Sequence, residues 1–350
     1  MKRDKEDNEI STKKPSYRIG PELTNYLKKY LRYTELEITY ESLLRFQDSF
    51  PVYDKDDNDT FWRLSMYAPE EQEEIQKALL EIYLRLTGDL DHSAMDHLKI
   101  DRIDYCLFGN SKPFRIQVKN LINDNYDYYY IKQADSSRIY GLELEQLISP
   151  NKVNYLVNES TLVEEHIIGI PGDQFLKENL KDKKHNWVRL AKEFVKFNER
   201  CLVRLLGDMR SYNFIIDMTP DFDQMQYRVR AIDFDQQNFE GKLNIYTPQF
   251  FKENRPFVKM VSELLTRESI LQYQNEERSL IRRRISVSES QLKELLICMQ
   301  KEVLSLQEKV ERLGSDLAEF HKDDSFRDAK RMSDILLKHL NTRLKMNIET

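Results

Sequence analysis

Apolar positions change their spacing along this chain, and each change marks a different region. From Pro21 to about His97 the pattern is helical. Tyr26, Leu27, Tyr30 and Leu31 fall at i, i+1, i+4 and i+5, and Ile75, Leu79, Leu80, Tyr83 and Leu84 repeat the period. The polar run Tyr53–Thr60 (YDKDDNDT) reads as a break between these helices. A calcium loop needs a central Gly and a closing Glu, which this run lacks, so it reads as a solvated loop.

Near Asp101 the period drops from about 3.6 to about 2, the spacing of strands. Ile103–Phe108 reads as a strand, Gly109 to Pro113 as a turn, and Phe114, Ile116 and Val118 as one face of a second strand. After the turn Asn123-Asp124-Asn125 comes the aromatic strand Tyr128–Gln133. Ser136 and Ser137 stand where an N-cap belongs and open a helix that ends before Ser149-Pro150. Val153–Val157 and Thr161–His166 form two more strands around Asn158-Glu159-Ser160. The expected order is therefore three strands, a helix and two strands.

A long amphipathic helix follows, with Trp187, Leu190, Ala191, Phe194, Phe197 and Cys201 on one side. Asn213–Asp217 and Tyr227–Phe234 read as a hairpin with a long Asp- and Pro-containing loop. Beyond Phe250 the pattern is helical, and from Leu292 to Phe320 apolar residues step alternately by 4 and 3. That spacing predicts a coiled coil, between chains or as a hairpin with Met332–Leu344, or else a long helix packed on its own domain. The expected domains are a disordered tail (1–17), a helical extension (18–100), a strand-rich lobe (101–170), a helical lobe (171–288) and the heptad tail (289–350).

Composition narrows the class. With 350 residues there is room for about two domains. Charged residues make up 33% and mean hydropathy is −0.68, yet 19 Tyr and 17 Phe are too many for a disordered chain. Only 9 Gly and 10 Pro favour helix-rich structure. A net charge of −6 gives no electrostatic reason to expect nucleic acid as a partner. The aromatic run Tyr126–Tyr130 accordingly reads as a strand on a core rather than a base-stacking platform. Cys106, Cys201 and Cys298 have no zinc-ligand spacing and suit a reducing compartment. No apolar run is long enough for a membrane span and the charged N-terminus has no signal-peptide core, so the expected location is the cytoplasm.

One segment carries chemistry. Gly207-Asp208-Met209-Arg210-Ser211-Tyr212-Asn213 precedes the hairpin, and Ile232-Asp233-Phe234-Asp235 ends it. An Asp on a loop, an Asn five residues later and an Asp on the returning strand suit phosphoryl transfer, which relies on positioning and charge neutralisation. One carboxylate orients the attacking hydroxyl, while an amide oxygen and a second carboxylate can hold magnesium. The hairpin brings Asn213 and Asp233 together across 20 positions. Asp and Asn also favour turns on their own account, which is the bland alternative.

These motifs resemble the protein-kinase-like superfamily, most closely its small-molecule branch of aminoglycoside and choline kinase types, over about residues 103–240. The resemblance implies an α+β, two-lobed fold: a five-stranded N-lobe with one helix and a mostly helical C-lobe, here with the N-terminal extension and long C-terminal helices. It implies an ATP-dependent phosphotransferase acting on a hydroxyl of a small molecule, with Mg2+ and ATP. Asp208 would be the catalytic residue, Asn213 and Asp233 metal ligands, and Asp235 a further carboxylate. Lys132 (or Lys119) would bind phosphates and pair with helix residue Glu143 or Glu145. Glu165, His166 and Ile167 would form the hinge whose backbone meets adenine, His166 being structural rather than a base. Glu164 and Glu165, adjacent on a strand, point to opposite sides and cannot form an acid–base pair.

The chain departs from the pattern at Leu206, where a His is usual, and at Tyr130, a small-residue position. It has no GxGxxG and no Ala-Pro-Glu segment. These departures leave two other readings: a pseudokinase scaffold joining a homodimer or a partner protein through residues 289–345, or an atypical protein kinase. Arg282-Arg283-Arg284-Ile285-Ser286 resembles a phosphorylation motif but reads as a polar helix stripe.

Overall fold

Period-2 segments joined by short turns pair with their neighbours in sequence, and antiparallel pairing follows. The computed structural model describes residues 14–88, 92–108, 111–179, 185–222 and 224–350. The protein is α+β, 50% helix and 21% strand, and it divides into two compact units.

The sheet unit comprises described residues within 14–19, 27–135 and 154–166. Its strands are β1 (Asp48–Tyr53), β2 (Asp59–Met66), β3 (Leu98–Cys106), β4 (Phe114–Asn120), β5 (Tyr126–Gln133), β6 (Tyr155–Asn158) and β7 (Thr161–Glu165). They form one antiparallel sheet in the order β1-β2-β3-β4-β5-β7-β6. Alternation gives the sheet two faces. Ile103, Ile116, Tyr129, Ile131 and Val163 point to a core shared with Leu79, Ile82 and Leu86 of the helix α3 (Pro69–Thr87). Burying each such side chain contributes about 1.5–3 kcal/mol. Tyr129 satisfies its buried hydroxyl by donating to the Leu79 carbonyl at 2.7 Å. The opposite face carries Asp104, Arg115, Tyr130 and Glu164 in cross-strand register, with Lys132 beside them.

The helical unit comprises residues within 20–26, 136–153 and 167–350. The helix Pro21–Lys29 (α1) runs from this unit into the other, and a short helix α2 (Tyr40–Leu43) lies in the sheet unit. Helices α4 (Ser136–Ile148), α5 (Gly172–Asn179) and α6 (Trp187–Arg204) are followed by α7 (Arg255–Leu264), α8 (Arg267–Val287), α9 (Glu289–Gln300), α10 (Gln307–His321) and α11 (Met332–Leu344). A small sheet, β10 (Gln224–Ala231), β9 (Phe214–Asp221) and β8 (Ile170–Pro171), lies among them. The long helix α6 is capped by Asn186, which accepts from the Arg189 N–H at 3.1 Å, and it stops where Leu205 turns left-handed at φ 55°. Its apolar stripe is buried, with Phe194 stacked on Phe257 at 5.1 Å and next to Phe214.

The expected order of three strands, helix and two strands is observed as β3, β4, β5, α4, β6 and β7. Four expectations need correction. The N-terminal region is not all helix, because β1 and β2 flank Tyr53–Thr60. That polar run holds the hairpin turn, where Asp54 accepts from the N–H groups of Asp56 and Asn58 at 2.9 Å each. Of the expected tail (1–17), residues 1–13 lie outside the described residues; Lys14 is tied to Asp135 at 2.7 Å, and Tyr17 N–H donates to the same carboxylate. The hairpin loop is short, since β9 and β10 pair as far as Asp221 and Gln224. The heptads do not form one helix: the chain breaks between α9 and α10, where Val303 is 69% and Leu306 54% exposed. Leu292, Leu296, Leu313 and Leu317 are buried on two shorter helices instead. In the turn expected at 109–113, Gly109 and Asn110 lie outside the described residues.

Candidate functional site

The loop after α6 is shaped by its main chain. Gly207 N–H donates to the Gln236 carbonyl at 3.1 Å and Asp208 N–H to that of Ile245 at 3.1 Å. Asp208 takes a left-handed φ of 56°, a conformation that Asp tolerates better than most residues and that surrounding bonds must hold. Asn213 closes the loop by donating its side-chain amide to the Asp208 carbonyl at 2.8 Å. The Asn213 carbonyl accepts from Ile232 N–H at 3.1 Å, just beyond the last rung, Phe214 with Ala231. Hairpin register therefore brings Asn213 and Asp233 to one end of the small sheet, and the Asn213 amide holds the Asp208 carbonyl beside them.

Charge at this end is arranged in ion pairs. Asp208 Oδ1 accepts from Arg210 Nε at 2.8 Å, and Arg210 Nη1 reaches Glu253 at 2.9 Å. Burial pushes the Asp208 carboxyl above the usual range; the Arg210 guanidinium opposes this, while the nearby Asp233 and Glu253 charges add to it. Asp233 and Asp235 share one guanidinium: Arg138 Nη1 lies 2.8 Å from Asp233 Oδ1 and 2.9 Å from Asp235 Oδ1. Asp235 N–H turns back onto Asp233 Oδ1 at 3.1 Å.

The helix α4 places Arg138 there. Ser137 Oγ donates to the carbonyls of Gln237 (2.7 Å) and Asp235 (3.2 Å), fastening the first turn to the strand end. One turn later, a Cβ on Gly141 would come within 2.9 Å of Phe234 Cβ and 3.1 Å of its carbonyl oxygen. Only glycine allows so close an approach. Asn213, Asp233 and Asp235 offer carboxylate and amide oxygens, the hard donors that suit magnesium. Among the described residues no three His, Cys, Asp or Glu groups converge as a metal cluster, so a cation here would rest on two carboxylates and one amide. The Arg138 guanidinium lies between the two carboxylates.

In the sheet unit, Lys132 Nζ pairs with Glu164 at 2.6 Å, both almost buried, and lies over the Tyr130 ring at 5.4 Å. Glu164 and Glu165 do point to opposite faces: Glu165 accepts from Asn154 Nδ2 at 2.8 Å. Lys119 instead pairs with the exposed Asp124 at 2.8 Å. In the helical unit, Glu143 is fully buried and accepts from the Tyr26 hydroxyl at 2.6 Å, while Glu145 is engaged by Arg204.

The expected hinge is partly committed to other bonds. Glu165 N–H donates to Asn154 O at 3.0 Å and His166 N–H to Tyr128 O at 3.3 Å, so those two donors serve the sheet. His166 Nδ1 lies 3.1 Å from the Tyr130 hydroxyl, and burial holds its imidazole below the ordinary value. Ile167 is buried, at 8% exposure.

Sequence reasoning missed Arg138, Arg210 and Glu164 as members of these clusters. Arg210 lies inside the motif and was visible there; Arg138 meets Asp233 across 95 positions, with no local signal. No protein-family model matches the chain, and no curated protein matches it.

Proposed function

We propose that the protein transfers a phosphoryl group from ATP to a hydroxyl, with Asp208 as the general base. The observation that supports this most is the convergence of Asp208, Asn213 and Asp233 at one hairpin end. There the Asp208 backbone is left-handed and its carboxyl pKa is raised. A carboxylate with a raised pKa accepts a proton more readily than an exposed one. Asp208 orients the acceptor hydroxyl and takes its proton on a carboxylate oxygen, and Arg210 fixes the direction of that carboxylate. Magnesium held by Asn213, Asp233 and Asp235 would supply the positive charge that phosphate oxygens need. Lys132, on the polar face of its own sheet, pairs with Glu164 at 2.6 Å.

The test is transfer of the terminal phosphate of labelled ATP to a panel of sugars, amino alcohols and generic protein substrates. Asp208→Ala should abolish transfer while leaving nucleotide affinity in place. Transfer at wild-type rate by both Asp208→Ala and Asp233→Ala would end the proposal. A second reading, a kinase-like scaffold that does not transfer phosphate, is favoured by the guanidinium on Asp233 and Asp235 and by the engaged hinge donors.

A further inference from the structure

Resting on the phosphotransfer reading, the proposed chemistry needs a cation beside Asp233 and Asp235, and the protein itself supplies one. We propose that Arg138 is the resident counter-cation of this carboxylate pair and competes with a divalent ion for it, so that Arg138 sets the site's affinity for that ion. A single nitrogen, Nη1, bridges both carboxylates at 2.8 and 2.9 Å, and Nη2 reaches the Ile232 carbonyl at 3.4 Å. Exposure is uneven across the cluster. The Arg138 side chain is 3% exposed and Asp235 13%, but Asp233 is 34% exposed. The guanidinium thus approaches from the protein side, and Asp233 keeps a part exposed to solvent that an incoming ion can meet.

The two cations differ in how they bind. Guanidinium is weakly hydrated and directional, and here its helix is fastened by Ser137 and pressed close at Gly141, so little entropy is lost in holding it. A divalent ion carries twice the charge but must shed tightly held water. Neither displaces the other without cost, and removing Arg138 removes one competitor, the guanidinium. Binding of the ion to an Arg138→Met protein should then tighten on the order of tenfold to a hundredfold, the size expected for one lost charge-assisted hydrogen-bond partner.

Manganese(II) alone, titrated into the full-length protein and followed by electron paramagnetic resonance, is the probe. Wild type should bind weakly, Arg138→Met more tightly and Arg138→Lys between them, and adding Asp233→Asn to Arg138→Met should abolish binding. Arg138→Met should also unfold at lower temperature than wild type without metal and recover when manganese is added. Arg138→Lys keeps the site testable should the Met variant fold poorly. Equal or weaker binding by both Arg138 variants, with wild-type binding lost in Asp233→Asn, would overturn the counter-cation role while leaving the metal site standing. No manganese binding by any variant would overturn both.

Discussion

Two arginines on carboxylates in the helical unit look alike in sequence and differ in what surrounds them. Arg204 pairs with Glu145 and bonds to Gln237 and the Gly141 carbonyl, and its side chain and that of Glu145 are 2% and 6% exposed. Arg138 pairs with Asp233 and Asp235, of which Asp233 is 34% exposed. A closed pair cannot exchange partners without unfolding its surroundings, because each charge would be stranded in a low-dielectric interior. An open pair can trade its cation for one from solvent. The contrast separates charge locked in the interior from charge that meets solvent: Arg204 fixes α4 to the end of α6, whereas Arg138 lies at the edge of the candidate site. Asp208 with Arg210 lies between the two kinds, Asp208 being 27% exposed.

The contrast can be broken by substitution. Arg204→Met strands Glu145 in the interior and should cost about 3–5 kcal/mol, read in chemical denaturation. A small loss there would remove the distinction between the pairs. Asp208→Asn keeps the left-handed turn but cannot take a proton, so transfer should fall about a hundredfold to ten-thousandfold. The same variant should be no less stable than wild type at neutral pH. Because burial raises the folded-state pKa of Asp208, ionising it costs stability as pH rises above the unfolded value, and Asn avoids that cost.

Arg138→Met without metal should cost less than Arg204→Met, on the order of 1–2 kcal/mol, since Asp233 keeps contact with water. The smallest effect expected is on pH dependence. Transfer should decline as acidity protonates Asp208, with the midpoint above the usual Asp range. Arg210→Ala, by removing a group that lowers that pKa, should move the acid limb to higher pH. A shift to lower pH would show that another group controls the limb.

How much of this was legible in the sequence follows from what each signal measures. The sheet core was readable because Phe114, Ile116 and Val118 alternate and are buried. The bounds of α4 were readable from Ser136 and Pro150. The β1–β2 hairpin was not, because its strands are largely exposed on both faces, with Phe50, Tyr53 and Phe61 at 52%, 57% and 54%, so no polar alternation marks them. The heptad pattern persisted across the break at 301–306 because it counts residues and not turns. At the site, Asn213 and Asp233 were visible because a hairpin fixes their meeting, and Asp208 because it lies five residues before Asn213 on the same loop. Arg138 was invisible because an Arg in a first helical turn is ordinary until the fold brings it to two carboxylates.

The most direct test of a nucleotide- and metal-dependent site is calorimetry of ATP binding, with and without magnesium, on wild type and Asp233→Ala. Binding that needs magnesium and is lost in Asp233→Ala is the expected result. An absence of ATP binding, or binding indifferent to both magnesium and Asp233, would contradict it and leave the scaffold reading in its place.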